Sequence, residues 1–298
     1  MMSMLGFKVC IPAKCILSGE FINNQKGYAI ISPFERYKLV LKYYPNEIKT
    51  IRTITGEGFN STQIILWSVI SRALELLGKE CSLLTGYFEL NCNIPPCNGL
   101  GFFAALYYAV AEWLVYYGLM QRSNLFDFTL KLESSLRASS NGADIAGVMS
   151  PSLIMYSYSR EIKKLNPTWH PHLYISSTKE TTISDDCMQK INEMRLLEPS
   201  KAALVDEKMI TSSIETRHAL ESNQKYRLFL LADALNLANE CYFEWGLISE
   251  RVKNHIDILK KYALACKIIE AGYGGYVLSL WKQEPTVDLP FKLYRVNI

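Results

Sequence analysis

The sequence predicts an α+β protein in two parts, and three observations carry that reading. Strand-like and helix-like stretches mix without the βαβ rhythm that a doubly wound sheet requires. The chain's 298 residues sit at the upper edge of one domain and are comfortable for two. In mid-chain the prolines of Leu165-Asn166-Pro167-Thr168-Trp169-His170-Pro171 break the patterning, which places a boundary there and gives segments 1–166 and 167–298.

Residues 8–21 read as a strand, a turn at Pro12 and a second strand; 28–33 and 37–44 read as further sheet, the latter partly alternating. Ile64, Ile65, Trp67, Ile70, Leu74 and Leu77 recur at helical spacing over 62–77. A strand over 87–93 runs through Pro95 and Pro96 and a glycine loop into a long apolar helix. Leu125–Leu136 is a further helix. The small-residue stretch Arg137-Ala138-Ser139-Ser140-Asn141-Gly142-Ala143-Asp144 reads as a loop, with Asp144 opening a short helix to Val148. A strand covers 152–158.

Past the boundary come a strand over 173–176, a polar Ser/Thr run to Ser184, and helices over 185–196, 201–220 and 226–244. A last helix covers 249–262, with Ser249 as its N-cap. A strand, a glycine turn and a strand follow over 267–280, and an edge strand over 291–297. No internal repeat or low-complexity tract interrupts this order.

Composition narrows the class. With 49% hydrophobic and 20% charged residues the chain is globular and can build a large core. A net charge of +3 without a Lys/Arg block gives no argument for nucleic acid. Lys8 and Lys14 interrupt the apolar stretch near the N-terminus, which reads against a signal peptide. Residues 102–120 are long enough to span a bilayer, but Glu112 at the middle makes a buried core helix the better reading and a membrane span a distant second. The eight cysteines (Cys10, Cys15, Cys81, Cys92, Cys97, Cys187, Cys241 and Cys266) show no Cys-x-x-Cys or zinc spacing, so they read as buried, reduced thiols of a cytoplasmic protein. His170, His172, His218 and His255 form no His-Glu-x-x-His pattern, and His170-Pro171-His172 reads as a surface or domain-edge feature.

The chemistry-bearing stretch is Pro95-Pro96-Cys97-Asn98-Gly99-Leu100-Gly101, directly ahead of the long helix. Glycines here tolerate unusual backbone angles and let an anion approach the unpaired N–H groups of the helix start. A phosphate is the natural guest. The same residues also serve an ordinary strand-to-helix turn, so taken alone the signal is weak.

Three separated segments together resemble the signature motifs of the GHMP kinases (galactokinase, homoserine, mevalonate and phosphomevalonate kinases). They are Pro12-x-Lys14-x-x-Leu17-x-Gly19-Glu20; Pro95-x-x-x-Gly99-Leu100-Gly101-x-x-Ala104-Ala105; and Lys267 followed by Ala271-Gly272-x-Gly274-Gly275. Within that family the chain is most similar to mevalonate and phosphomevalonate kinases. Asn141-Gly142-Ala143-Asp144-Ile145-Ala146 resembles their catalytic-aspartate loop, and Ser176-Ser177-Thr178-Lys179-Glu180-Thr181-Thr182 resembles the strand end opening their second domain.

The resemblance implies an N-terminal domain like ribosomal protein S5 and a ferredoxin-like C-terminal domain. It implies ATP and Mg²⁺, a small-molecule acceptor such as mevalonate or phosphomevalonate in isoprenoid precursor synthesis, and a homodimer. Asp144 would be the base on the acceptor hydroxyl, and Lys14 would steady that carboxylate and the transferring phosphate. Pro96, Cys97, Asn98, Gly99, Leu100, Gly101 and Ala104 would cradle the triphosphate. Glu133, eleven residues before Asp144, would hold the metal. Glu20, Gly272, Gly274 and Gly275 would line the substrate side.

Each residue also has a plainer reading: Asp144 as a helix start, Lys14 as a surface strand residue, Glu133 on a solvated helix face. The chain departs from the family as well. Phe102 and Phe103 stand where the family writes two serines, Ala13 replaces a glycine, Glu270 precedes Ala271 where glycine is usual, and Ser150-Pro151 replaces a glycine pair. Two expectations follow: an active kinase, in which backbone N–H groups, Cys97 or Asn98 replace the serine contacts, or a catalytically inactive protein that keeps the fold and serves as a binding or regulatory partner. The diphosphomevalonate decarboxylases fit less well, because their aspartate loop reads differently.

Overall fold

The computed structural model describes residues 6–22, 27–45, 53–55, 60–80, 85–137, 141–181, 184–269 and 272–298. Cys81, Ala138, Ser139, Ser140, Thr182, Glu270 and Ala271 lie outside the described residues. In chain order the first half runs β1 (Phe7–Ser18), β2 (Tyr28–Pro45), β3 (Thr53–Thr55), α1 (Asn60–Leu76), β4 (Gly86–Cys92), α2 (Phe102–Tyr116), α3 (Leu125–Leu136) and α4 (Ala143–Met149). The second half runs β5 (Ile154–Ser157), β6 (Ile162–Lys164), β7 (His172–Ser177), α5 (Ser184–Leu197), α6 (Pro199–Glu221), α7 (Arg227–Glu244), α8 (Glu250–Leu259), β8 (Ala265–Ile268), β9 (Tyr276–Trp281) and β10 (Tyr294–Val296). The architecture is α+β, as the irregular mix of patterns predicts.

Two strands run straight through a proline: β1 through Pro12, which suggests a turn in the sequence, and β2 through Pro33, which closes the first of two separate sheet stretches there. β1 continues past Pro12 because, among the described strands, it pairs with β2 alone, so an edge position tolerates the missing N–H. β2 continues past Pro33, which lies between the residues that pair with β5 (28–31) and those that pair with β4 (39–45). The three-residue strands β3 and β6 carry too few positions for a periodic signal and were not expected.

The contacts divide the chain into two compact units, neither of which is one stretch of sequence. The first holds 1–13, 35–95 and 101–149; the second holds 14–34, 96–100 and 150–298. In the first unit, the end of β2 pairs antiparallel with β4, and β3 runs parallel to β4. β4 alternates, turning Phe88 and Leu90 inward while Glu89 on the other face accepts from Lys42 Nζ at 2.7 Å. Trp113 of α2 meets Phe88 and Tyr43 at ring distances of 5.1 and 5.6 Å.

α2 is apolar nearly all round because α1, α3 and α4 all pack against it. Its buried Glu112 accepts a forked pair from Arg122, at 3.0 and 2.8 Å, and a third bond from the Tyr108 hydroxyl at 2.7 Å. The charge at mid-helix is thus neutralised within the protein. Among the described residues no helix is long and apolar enough to cross a membrane.

In the second unit, four antiparallel strands are ordered β10-β7-β9-β8. β10 stands at the edge, as expected for the last segment. β7 and β9 are buried along most of their length, and α6 packs on α7, which in turn covers β8. Tyr242, Trp245, Ile256, Leu259 and Trp281 belong to one apolar cluster. Ser249 caps α8, its hydroxyl accepting from the Val252 N–H at 3.2 Å.

Of the cysteines, Cys15, Cys187, Cys241 and Cys266 are buried and free, as expected for core thiols, whereas Cys10 and Cys97 are exposed. His170 is exposed, with Nδ1 at 2.6 Å from the Ile298 oxygen.

Candidate functional site

The sequence-selected residues fall into two sets, one in each unit. The second unit holds Lys14, Glu20, the loop 96–100 and Gly272, Gly274 and Gly275. The Lys14 side chain is fully buried, which excludes a surface-strand role. Its backbone N–H donates to the Leu100 carbonyl at 3.1 Å, so β1 is tied directly to the glycine loop. The loop is folded on itself: Asn98 Nδ2 donates to the Pro96 carbonyl at 2.7 Å, and Cys97 and Gly99 take left-handed φ values of 55° and 81°. A non-glycine residue in that region carries a steric penalty of roughly 1–2 kcal/mol, held here by the turn around it.

The third motif meets this loop. A Cβ on Gly275 would lie 3.0 Å from the Asn98 carbonyl oxygen, and one on Gly272 would lie 2.6 Å from the Leu247 oxygen. Both glycines also have φ of +83°, so bare backbone at these positions is what lets the turn seat closely. The turn is pinned by Tyr273 N–H to Leu247 O (2.7 Å), Gly275 N–H to Glu180 O (2.8 Å) and Thr178 N–H to Gly275 O (2.9 Å). The Glu180 carboxylate in turn accepts from Ser249 Oγ at 2.7 Å. The Ser/Thr-rich stretch therefore buttresses the glycine turn, and segments more than 170 residues apart in sequence form one local structure.

Glu20 is buried and forms an ion pair with Lys267, which is itself fully buried. Lys267 Nζ also donates to the carbonyls of Ile268 at 2.8 Å and Ile16 at 3.4 Å. The Tyr242 ring lies 5.6 Å from the ammonium. Burial, with the Glu20 charge behind it, pushes the Tyr242 phenol well above its ordinary range. The Cys15 thiol is pushed up to about 12 by burial, against the opposing pull of Lys267 and Lys14. It is a neutral thiol.

The first unit holds Gly101, Ala104, Glu133 and Asp144. Gly101, with φ of 82°, is the N-cap of the 15-residue α2 and as a glycine brings no side-chain cap of its own. Ala104 lies buried in its first turn. Glu133 on α3 is 3% exposed, so it does not sit on a solvated face. Asp144 is half-buried in the first turn of α4, where the Asn141 side chain accepts from the Ala143 N–H at 3.0 Å and Gly142 takes φ of 85°. α4 packs on both α2 and α3.

Phe102 is buried, its ring edge-on to Phe103 at 5.2 Å. Phe103 is half-buried, and the Arg137 guanidinium lies over its ring at 5.4 Å. The motifs in the sequence mark neither the place of Arg137 over Phe103 nor the pairing of Lys267 with Glu20. The available signal for Arg137 was its place one helical turn after Glu133. For Lys267 it was an isolated cation between apolar neighbours in a strand. Among the described residues no three His, Cys, Asp or Glu side chains cluster as a metal cage.

No model of a known protein family matches the sequence, and no curated protein matches it. Solved structures do match, along the whole chain, and they share the two-part α+β architecture of small-molecule kinases. In particular the chain has the fold of mevalonate kinase and phosphomevalonate kinase, members of the family its three motifs resemble. It is similar to Streptococcus pneumoniae phosphomevalonate kinase in complex with phosphomevalonate and AMPPNP, with TM-score 0.75, 15% identity, and coverage of 98% of this chain and 100% of that one. L. major mevalonate kinase in complex with R-mevalonate gives 0.74 at 16% identity, covering 100% and 98%. Lactococcus lactis galactokinase complexed with galactose gives 0.68 at 14%, covering 98% and 93%. At these identities the likeness is one of fold.

Proposed function

We propose that this chain is a cytoplasmic small-molecule kinase that transfers the γ-phosphoryl group of ATP to an alcohol or phosphate acceptor, with mevalonate or phosphomevalonate as the first candidates. The observation that carries this reading is the local structure in the second unit. There the buried Lys14 is bonded through its backbone to the glycine loop, and the bare Gly275 packs on that same loop. A fold likeness spanning the full length of kinase structures supports it.

The residues suit the groups such a reaction needs. The loop offers backbone N–H groups at left-handed positions, and the helix that follows it in sequence has a glycine N-cap, both of which suit a triphosphate. Glu133 is a buried carboxylate, and Mg²⁺ is commonly held by one or two carboxylates together with phosphate oxygens. When bound, the metal would offset phosphate charge. In this reading Asp144 takes the proton of the acceptor hydroxyl, Lys14 steadies the charge that develops, and Glu20 with Gly272, Gly274 and Gly275 shapes the substrate side.

A second reading, a catalytically silent binding protein on the same fold, is favoured by Phe102 and Phe103 in the first turn of α2. The deciding experiment measures ADP release from Mg-ATP with mevalonate, phosphomevalonate, homoserine and galactose, beside Asp144→Ala. Turnover with one acceptor that falls at least about 100-fold in the variant establishes the kinase. No turnover, with no thermal shift on Mg-ATP, establishes the second reading. The double substitution Phe102→Ser, Phe103→Ser is expected to tighten ATP binding in a thermal-shift titration; unchanged affinity would show that the rings do not crowd the phosphates.

A further inference from the structure

Lys267 is a fully enclosed cation in the second unit whose ammonium meets three acceptors. Its side chain is fully buried, and its three partners are the Glu20 carboxylate and the Ile16 and Ile268 carbonyls. Two of these lie on or just beyond β1: Ile16 is two residues past Lys14, and Glu20 is six residues past it. The same segment is held at its other side by the bond from the Lys14 N–H to Leu100 of the glycine loop. An ammonium bonded to one backbone carbonyl, one carboxylate and its own strand therefore anchors the end of β1 to β8. Burial makes that anchor stiff, since neither partner can exchange to water without stranding the other.

We infer that Lys267 is a positioning residue: acting through Glu20 and the Ile16 carbonyl, it fixes the β1 segment that presents Lys14 beside the glycine loop. This rests on the kinase reading for its catalytic consequence, but the anchoring itself does not. Cys15 supplies an independent gauge. It is fully buried between Lys14 and Ile16, it feels the Lys267 charge, and it is a neutral thiol. Movement of the β1 end exposes it, whereas Cys187, Cys241 and Cys266 lie on other elements.

The test compares the full-length protein with Lys267→Met and with the double variant Lys267→Met, Glu20→Met, which removes both buried charges. Each is assayed well below its own Tm for kcat and KM, and for Cys15 alkylation by iodoacetamide, read by peptide mass spectrometry. The expected result is a kcat lower by about 100-fold in Lys267→Met with KM for ATP within about threefold, as follows from a misplaced reacting group. Cys15 should label while the other three buried thiols stay protected. The double variant is expected to regain thermal stability while Cys15 stays reactive, a split that a purely structural pair does not produce; labelling is the readout there because Glu20 itself is assigned to the substrate side.

A Lys267→Met protein with kcat within about threefold of the parent and a protected Cys15 overturns the inference, as does a double variant that regains Tm with Cys15 protected. If the parent turns over no acceptor, the kinase reading fails, and Cys15 labelling alone decides the anchor: labelled in Lys267→Met, it stands; protected, it falls. If Lys267→Met does not fold, Cys15 labelling in the double variant decides in the same way.

Discussion

Glu112 in the first unit and Glu20 in the second are both buried carboxylates, and they are neutralised in different ways. The partner of Glu112 is Arg122, whose side chain is 66% exposed. Its planar fork closes on both carboxylate oxygens from the surface, so most of the desolvation falls on one member of the pair. The partner of Glu20 is Lys267, which is fully buried. There both ions lose their water, and the ammonium recovers by donating to two backbone carbonyls besides the carboxylate. The first arrangement is a clasp that solvent can share. The second couples a carboxylate, an ammonium and two strands so that none can change alone.

The largest test of that contrast is Lys267→Met. Leaving Glu20 buried without its cation is expected to reduce stability by about 3–5 kcal/mol, lowering Tm by roughly 10 °C in a thermal melt. A shift of only a degree or two would mean that Glu20 is held by its other neighbours and that the contrast is wrong.

His255 shows a third solution, burial in the neutral form. Its ring bonds Ser176 Oγ at 2.8 Å and stacks on Phe291 at 3.8 Å, and burial lowers its pKa to about 4 from an ordinary 6.5. The folded form therefore resists protonation while the unfolded form accepts it. The stability His255 contributes is complete above pH 6.5, is lost as pH falls from there, and levels off below about 4. The loss is expected to be of the order of 3 kcal/mol. Denaturant melts between pH 8 and 4 should show it, and a His255→Gln variant should show a flatter profile; identical slopes in the two proteins would remove the assignment.

The smallest effect is expected at the clasp. Arg122→Ala should cost about 1 kcal/mol and less in high salt, because its cation is exposed and Tyr108 still donates to Glu112. A loss as large as that of Lys267→Met would place both pairs in one class.

Local chemistry made much of this molecule legible. α3 has the limits its apolar spacing indicates, Ser249 caps α8 as its side chain suggests, and Gly99, Gly101, Gly272 and Gly275 take the left-handed angles that glycine allows. Those features depend on residues within a turn or two of one another, and such information is written in sequence order. Pro12 misled for the opposite reason. Whether a strand survives a proline depends on which neighbour would have used the missing N–H, and that is a property of the sheet.

The sequence by itself determined the α+β class, the helices and the three motifs, because periodicity, capping and glycine content act locally. The tertiary structure alone decided that Lys14 and Glu133 are buried, that Gly275 seats against Asn98, and that Lys267 finds Glu20 across 247 residues of chain. No local signal encodes these. Each is settled by which groups lose water together, and a charge that leaves water must be met by whatever partner the packing brings to it.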